Sequence, residues 1–407
     1  MILGAGRIGA TVAWDLAKRK EVVAVGLADA SETALTAASS WISNDKVAVH
    51  LIDIKHQDAT VALMRKYDVG VVTLPLRGAS YKAIEAAILA GLSVVDVLEE
   101  YHRRPDEYEF EDLEVPNGMS PHEYGEMLHG KAVAAGVTIL DGMGFAPGLS
   151  NVTVGEGLRT LDVAHSAVAR VGGIPSKDTA QTYPLRYVIT WSFDHVLREY
   201  MVRVPILRDG QIVEVEAASD YDSFRFNECG KDEQLESAIT PGMPSFIHTR
   251  PQLRDFSERT IRWPGHWSGV RTLKECGLLA LQPIPFRGTH IAPRDFVATV
   301  LRQSLHARSH GERDACVMWN TVIGSLDSLP TRIDYYMWDD ADTIHNISSM
   351  ARVTAFTAAA GAIFVGERRL KSGIIPPEDA IFGDLYSELL QILRSRGITI
   401  SQRISAA

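Results

Sequence analysis

Ile2-Leu3-Gly4-Ala5-Gly6-Arg7-Ile8-Gly9-Ala10 is the stretch whose reading decides the fold of the first part of this chain. A short apolar run, Met1-Ile2-Leu3, leads into the GxGxxG pattern, and a helix-period segment, residues 10–18, follows directly. Residues 21–28 read as a second strand that ends in Asp29, twenty positions after Gly9. Glycines at this spacing give a tight turn and let backbone approach a pyrophosphate. The helix N–H groups then face the phosphates, and an acid at the end of the second strand bonds ribose hydroxyls. A dinucleotide site built on Gly4, Gly6, Arg7, Ile8, Gly9 and Asp29 is therefore expected. A carboxylate at Asp29 repels a 2′-phosphate, and Ala30-Ser31-Glu32 offers no arginine to receive one, so NAD is favoured over NADP. Only three residues precede the loop, against about five to six in a typical strand. The first strand is clipped, or the native chain starts upstream of Met1.

Downstream, apolar strand runs at 47–54, 69–74 and 93–97 alternate with helical patterns at 57–66 and 79–90. This rhythm predicts a parallel sheet covered by helices. Ligands of such sheets lie beyond the strand C-termini, which places Asp53, Leu74, Pro75 and Asp96 on the cofactor edge. Capping or turn roles are the competing reading for each. Residues 101–121 break the rhythm: they are rich in Asp, Glu and Pro, carry His102, Arg103 and Arg104 at their head, and read as a surface insertion or a lid. A helix at 121–135 and a strand at 137–140 then lead to Asp141-Gly142-Met143-Gly144-Phe145-Ala146-Pro147-Gly148-Leu149-Ser150-Asn151. Three glycines and a proline in seven residues, Gly148 among them, suit close backbone approach to a ligand at a hinge between two halves.

With 407 residues, 46% hydrophobic and 23% charged, the chain is long enough for two cores. A net charge of -10 argues against a nucleic-acid partner, which calls for clustered Lys and Arg. The three cysteines, Cys229, Cys276 and Cys316, are far apart and suggest neither disulfides nor zinc. His165, His195, His248 and His290 lack ligand spacing, so no metal is expected. The cysteine usage makes a reducing cytoplasm the default, and the N-terminus has no basic n-region or small-residue cleavage site, so no signal peptide is expected. Residues 347–366 are long and apolar enough to be checked as a membrane span, but Arg352, Ser348, Ser349, Thr354 and Thr357 fit a helix buried between domains or subunits better. No membrane partner is expected.

Beyond Asn151 the patterning turns to strands: 164–171, 186–191, a hairpin of 201–207 and 211–215 joined by Arg208-Asp209-Gly210, then 314–324 and 331–338. Helices are expected at 267–276 and 293–306. The fold expected is α/β: a Rossmann-type parallel sheet domain, 1–148, completed by the C-terminal segment 345–407, and a second α+β domain with a mostly antiparallel sheet, 149–344.

Several motifs resemble the saccharopine dehydrogenase family, and within it most the NAD-dependent lysine 6-dehydrogenase group. They are Gly4 to Gly9, Asp141 with GFAPGLSN at 144–151, Val171-Gly172-Gly173-Ile174-Pro175, Pro184-Leu185-Arg186-Tyr187 with Thr190-Trp191-Ser192, Arg208-Asp209-Gly210-Gln211, TIRWPGH at 260–266, and Met350-Ala351-Arg352-Val353-Thr354-Ala355. The 101–121 insertion and the short first strand depart from the family pattern. The resemblance implies a homodimer acting on an amino acid or amine, with hydride removed from the carbon bearing the ε-amine of L-lysine. The imine hydrolyses to ammonia and a semialdehyde that cyclises.

Such chemistry needs a base, a carboxylate receptor and a pocket; the cofactor supplies the hydride acceptor. His266 is the first candidate base, because an unperturbed imidazole titrates near neutrality, with helix capping as its competing role. Asp141 is the second, its alternative being to bond the amides of its own glycine loop. Arg262 suits a substrate carboxylate or an ion pair. Tyr187 and Trp191, four apart on an expected strand, share a face and line a pocket or a core. Glu199 suits a distal ammonium, and Gly172 and Gly173 suit close approach to substrate. Saccharopine-type or carboxynorspermidine-type imine reduction, and a non-catalytic NAD-binding regulator or scaffold, remain alternatives.

Overall fold

A computed structural model describes residues 1–106, 113–189, 192–306 and 313–407. The chain divides into two compact units. One comprises Met1–Glu156, Met243–Thr249 and Ala351–Ile398, and the other Gly157–Gly242, Arg250–Met350 and Thr399–Ala407.

The first unit begins with β1 (Ile2–Leu3), α1 (Arg7–Ala17), β2 (Val25–Asp29), α2 (Glu32–Ile42), β3 (Val47–Leu51), α3 (Gln57–Met64), β4 (Gly70–Val72), α4 (Arg77–Ala90), β5 (Val94–Asp96), α5 (Pro121–Ala135), β6 (Thr138–Leu140) and the start of α6 (Leu149–Thr160). Two of its helix starts have a local cause in side-chain caps. Ser31 accepts the Ala34 N–H at 3.2 Å, and Ser120 and Glu123 form a reciprocal capping box with Pro121 in the first turn. Buried Val12, Ala13, Leu16 and Ala17 on α1 and Ala83, Ile84 and Ala87 on α4 supply the apolar faces that cover the strands.

The second unit contains β7 (Val163–Pro175), α7 (Lys177–Thr182), α8 (Phe193–Glu199), β8 (Arg203–Arg208), β9 (Gln211–Glu216), β10 (Tyr221–Phe226) and β11 (Glu233–Ile239). After α9 (Phe246–Thr249), which belongs to the first unit, follow β12 (Asp255–Arg262), α10 (His266–Glu275), β13 (Ile284–Phe286), β14 (Thr289–Ile291), α11 (Pro293–Leu305), β15 (Asp314–Leu326) and β16 (Leu329–Asp340). The nine-stranded sheet runs β10-β11-β12-β7-β15-β16 and then the last strand of the chain, with β8 pairing β12 and β9 pairing β8. All its pairings are antiparallel except β7 with β12. The β8–β9 hairpin turns at Asp209 and Gly210, both at positive φ as the Asp-Gly pair requires.

The tail adds α12 (Ser349–Gly366), β17 (Gly373–Ile375), α13 (Pro377–Ala380), α14 (Asp384–Ser395) and β18 (Ser401–Ala406). β17 joins the first sheet beside β6, giving the all-parallel order β17-β6-β5-β4-β1-β2-β3. The segment expected to complete the first domain is thus shared: Ala351–Ile398 does so, whereas β18 pairs with β16 in the second sheet. α12 has the length and composition of a membrane span, yet 78% of it is buried. A Cβ at Gly361 would touch Leu140, Met143 and Val95, so this helix lies on β5 and β6 and the core accounts for its apolarity.

One expected strand is corrected. Residues 184–186 form a single 3-10 turn, in which Leu185 and Arg186 take positive φ, and among the described residues 187–189 are not in a strand. Positive φ at Leu185 and Arg186 is incompatible with an extended strand, so the strand expected from Arg186 does not start there. Thr190 and Trp191 themselves lie outside the described residues.

Candidate functional site

The glycine loop opens the first unit as the sequence leads one to expect. Gly6 is the N-cap of α1 and no side chain caps that helix end. A Cβ at Gly9 would lie 1.9 Å from the Gly4 carbonyl oxygen, so only glycine lets α1 approach β1, whereas a Cβ at Gly6 would meet nothing within 4 Å. The space over Gly6 and the uncapped helix end form a cradle that fits a pyrophosphate. Arg7 is exposed and Ile8 half-buried beside it. Asp29 fixes the loop: one carboxylate oxygen accepts the Ala5 N–H at 2.7 Å and the other the Ser31 N–H at 2.8 Å. Thr73 braces the loop through the Leu3 and Gly4 carbonyls.

The other expected edge residues fall at or just beyond strand C-termini, with separate duties. Asp53 accepts the Lys55 N–H, Leu74 packs against the first core, and Pro75 is exposed. Asp96 ends β5, is fully buried, and accepts from the Leu98 N–H at 2.6 Å and the Ser80 hydroxyl at 2.5 Å. Gly148 is buried at φ +128°, where a Cβ would lie 2.1 Å from the Gly144 oxygen, so it closes the 144–148 turn. Its N–H donates to Asn151, which reaches buried Glu378; Ser245 and Thr249 donate to the same carboxylate. Burial pushes the Glu378 carboxyl up, and these donors oppose that shift.

Asp141 does not bond its own glycine loop. Its two oxygens hold His102, accepting from the ring Nδ1 at 2.6 Å and from the backbone N–H at 2.8 Å. The other ring nitrogen meets the Ser80 hydroxyl at 2.8 Å, and Ser80 passes on to Asp96. Burial alone would lower the imidazole, but Asp141, Asp96 and Glu100 raise it to about 9. Burial raises Asp96 to about 6 against the opposing pull of His102 and Ser80. This corrects the surface reading of residues 101–106, since Tyr101 and His102 are buried; residues 107–112 lie outside the described ones. The sequence concealed the cluster because its members are 22 and 39 residues apart. The one visible signal was a histidine followed by a strand-end aspartate.

In the second unit, TIRWPGH brings Arg262, the last residue of β12, to His266, the first of α10. Arg262 is buried and donates to the Ile261 carbonyl at 2.9 Å, the Gly173 carbonyl at 3.4 Å and the Tyr200 hydroxyl at 3.2 Å, with Tyr187 stacked at 5.1 Å. Among the described residues its Nε has no hydrogen-bond partner, while Tyr200, Tyr187 and Glu199 favour its charged form against the cost of burial. Gly173 thus serves Arg262, while Gly172 lets β7 approach β12, a Cβ there lying 2.3 Å from the Ile261 oxygen. Glu199 is buried next to Tyr200. The expectation that His266 is a near-neutral base is corrected: burial and then Arg262 lower its pKa to about 3. Its Nδ1–H donates to the Leu185 carbonyl at 2.8 Å and its Nε2 accepts from Tyr200 at 3.0 Å, so a neutral imidazole orients the tyrosine that holds Arg262.

Comparison with known proteins identifies the family and the fold. Residues 1–140 match the saccharopine dehydrogenase NADP binding domain and residues 144–398 the saccharopine dehydrogenase C-terminal domain. A stretch of 104 residues, 24% of this chain, is 32% identical to alpha-aminoadipic semialdehyde synthase of Arabidopsis thaliana and covers 9% of that protein. The fold superposes on apo saccharopine dehydrogenase (L-Glu forming) from Saccharomyces cerevisiae with a TM-score of 0.77 at 18% identity, covering 100% of this chain and 99% of that one. With family matches along nearly its whole length, residues 1–140 and 144–398, the chain belongs to the saccharopine dehydrogenase family.

Proposed function

We propose that this protein is an NAD-dependent dehydrogenase that oxidises the C–N bond of L-lysine at the ε-amine. The observation that carries an amino-acid substrate is Arg262, a buried cation whose direct acceptors are neutral and whose Nε has no hydrogen-bond partner among the described residues. Such a charge is costly to bury alone, and a substrate carboxylate offers it the bidentate partner that a guanidinium favours. Tyr200 and His266 preset its orientation. Glu199, a buried carboxylate in the same unit, supplies the opposite charge for an ammonium further along the substrate. Asp29 and the absence of arginine at residues 30–32 support NAD over NADP.

Bound NAD supplies the hydride acceptor. The neutral amine, populated at alkaline pH, loses hydride from its carbon and becomes an iminium; water adds to that carbon, ammonia leaves, and the semialdehyde cyclises. Because the His266 pKa is held near 3, His266 is not the proton acceptor and its part is orientation.

The test mixes purified protein with NAD and L-lysine, ornithine, saccharopine or diamines at alkaline pH, and follows NADH absorbance and ammonia. NADH and ammonia appearing together with L-lysine are expected. Turnover of saccharopine without ammonia would replace the lysine assignment by the saccharopine-type reaction.

A further inference from the structure

Asp96 and Asp141 bring two carboxylates to the C-terminal edge of neighbouring strands β5 and β6, a repulsive arrangement that His102 neutralises from between them. The ring is only one of three handles on this residue. The His102 N–H donates to Asp141, its carbonyl accepts from the Tyr81 hydroxyl at 3.3 Å, and Gly125 lets α5 close on it, a Cβ there lying 2.5 Å from the His102 and Arg103 carbonyl oxygens. Arg77 pairs with Glu100 at 2.8 Å two residues earlier. Residues 97–104 are therefore tied to α4, α5 and β6.

Their place in the sheet gives this anchorage a function. Asp29 on β2 marks the adenosine ribose, so a dinucleotide held at the β1–α1 loop extends its other half towards β4, β5 and β6. We propose that His102 is a positioning residue for the nicotinamide half of the dinucleotide, fixing the 97–104 loop that borders it. The imidazolium donates through both nitrogens, to Asp141 and to Ser80, and Ser80 donates onward to Asp96. One hydrogen-bonded chain thus holds the ends of both strands. The charged and titratable groups facing it are Asp96 from β5, Asp141 from β6, Tyr81 and Arg77 from α4, and Glu100 from the loop itself.

The inference rests on the dinucleotide reading of the glycine loop and is independent of the lysine assignment. Calorimetric titrations of the full chain compare NADH, which fills both halves of the site, with ADP, which fills the adenosine half. In His102→Gln, NADH binding is expected to weaken about tenfold, the effect of one lost charge-assisted hydrogen bond, with ADP affinity unchanged. Ser80→Ala keeps the imidazole and its bond to Asp141; it should show the same split to a smaller extent, and stands as the probe if the first variant does not fold. Wild-type NADH affinity in both variants overturns the assignment, and so does equal loss of NADH and ADP, which marks a purely structural role.

The second readout is pH. His102 is raised from an ordinary 6.5 to about 9, so its charge persists through neutral pH and is lost as pH rises through about 9. Wild-type NADH affinity should fall across that range relative to ADP, and the His102→Gln protein should be flat. A flat wild-type profile overturns the proposal. Failure of the wild-type protein to bind either nucleotide overturns the dinucleotide reading together with it.

Discussion

Arg262 carries the most direct test at the scale of single residues. Its guanidinium is held by two carbonyls and a hydroxyl, neutral acceptors that orient a charge without cancelling it. Arg262→Met should therefore leave NADH affinity unchanged and raise the substrate KM about a hundredfold, the consequence of losing charged hydrogen bonds worth about 2–3 kcal/mol. Its thermal midpoint should fall by several degrees, because the Tyr200 hydroxyl loses a buried donor and buried Glu199 a cation that favours its charge, partly offset by the desolvation cost the guanidinium no longer carries. Steady-state kinetics beside a melting curve read both quantities; an unchanged KM would remove Arg262 from the substrate site. Arg262→Lys is no conservative rescue, since an ammonium cannot reach Gly173, Ile261 and Tyr200 as a planar fork does. His266 shows how a residue type misleads when its surroundings are invisible. An imidazole suggests a neutral-range base, yet burial beside a guanidinium leaves it a fixed acceptor for Tyr200.

At the scale of elements, the glycine loop separates folding from binding. Gly9→Ala places a methyl group against the Gly4 carbonyl and pushes α1 off β1, so both the thermal midpoint and NADH affinity should fall. Gly6→Ala meets no atom of the protein; the midpoint should hold while NADH affinity falls at least tenfold, because the methyl fills the space a pyrophosphate needs. Melting curves and NADH titrations on the pair check this, and full NADH affinity in Gly6→Ala would sink the cradle. Parts of the fold were legible because their causes are local: the spacing of Gly4, Gly6 and Gly9 and the Asp209-Gly210 turn each lie within a few residues. α12 could be recognised as a buried helix from its apolar run, although its location on β5 and β6 could not. The misread strand at 186–191 shows the opposite case. Apolar and β-branched residues there suggested extension, but Leu185 and Arg186 adopt positive φ and Leu185 gives its carbonyl to His266, 81 positions later. The His102 cluster escaped notice for the same reason, since its chemistry exists only where α4, β5 and β6 converge.

At the scale of the whole molecule, neither unit is a continuous piece of chain, and this fixes what truncation can remove. The first unit draws on Met1–Glu156, Met243–Thr249 and Ala351–Ile398. A fragment of residues 1–156 would leave β6 without β17, strip α12 from Leu140, Met143 and Val95, and remove Glu378 from Asn151. Exposing each large apolar side chain costs about 1.5–3 kcal/mol, so a few of them consume the roughly 5–15 kcal/mol that keep a domain folded. The fragment should bind no NADH and should unfold without a sigmoidal urea transition. A cut after Ile398 removes only β18, whose residues are exposed and which pairs with β16 alone in the second sheet. That protein should bind NADH as the full chain does. NADH binding by the 1–156 fragment equal to that of the full chain would show that the returning segments are dispensable to the dinucleotide site; its absence after both cuts would show that β18 matters to the first unit as well as to the sheet it extends.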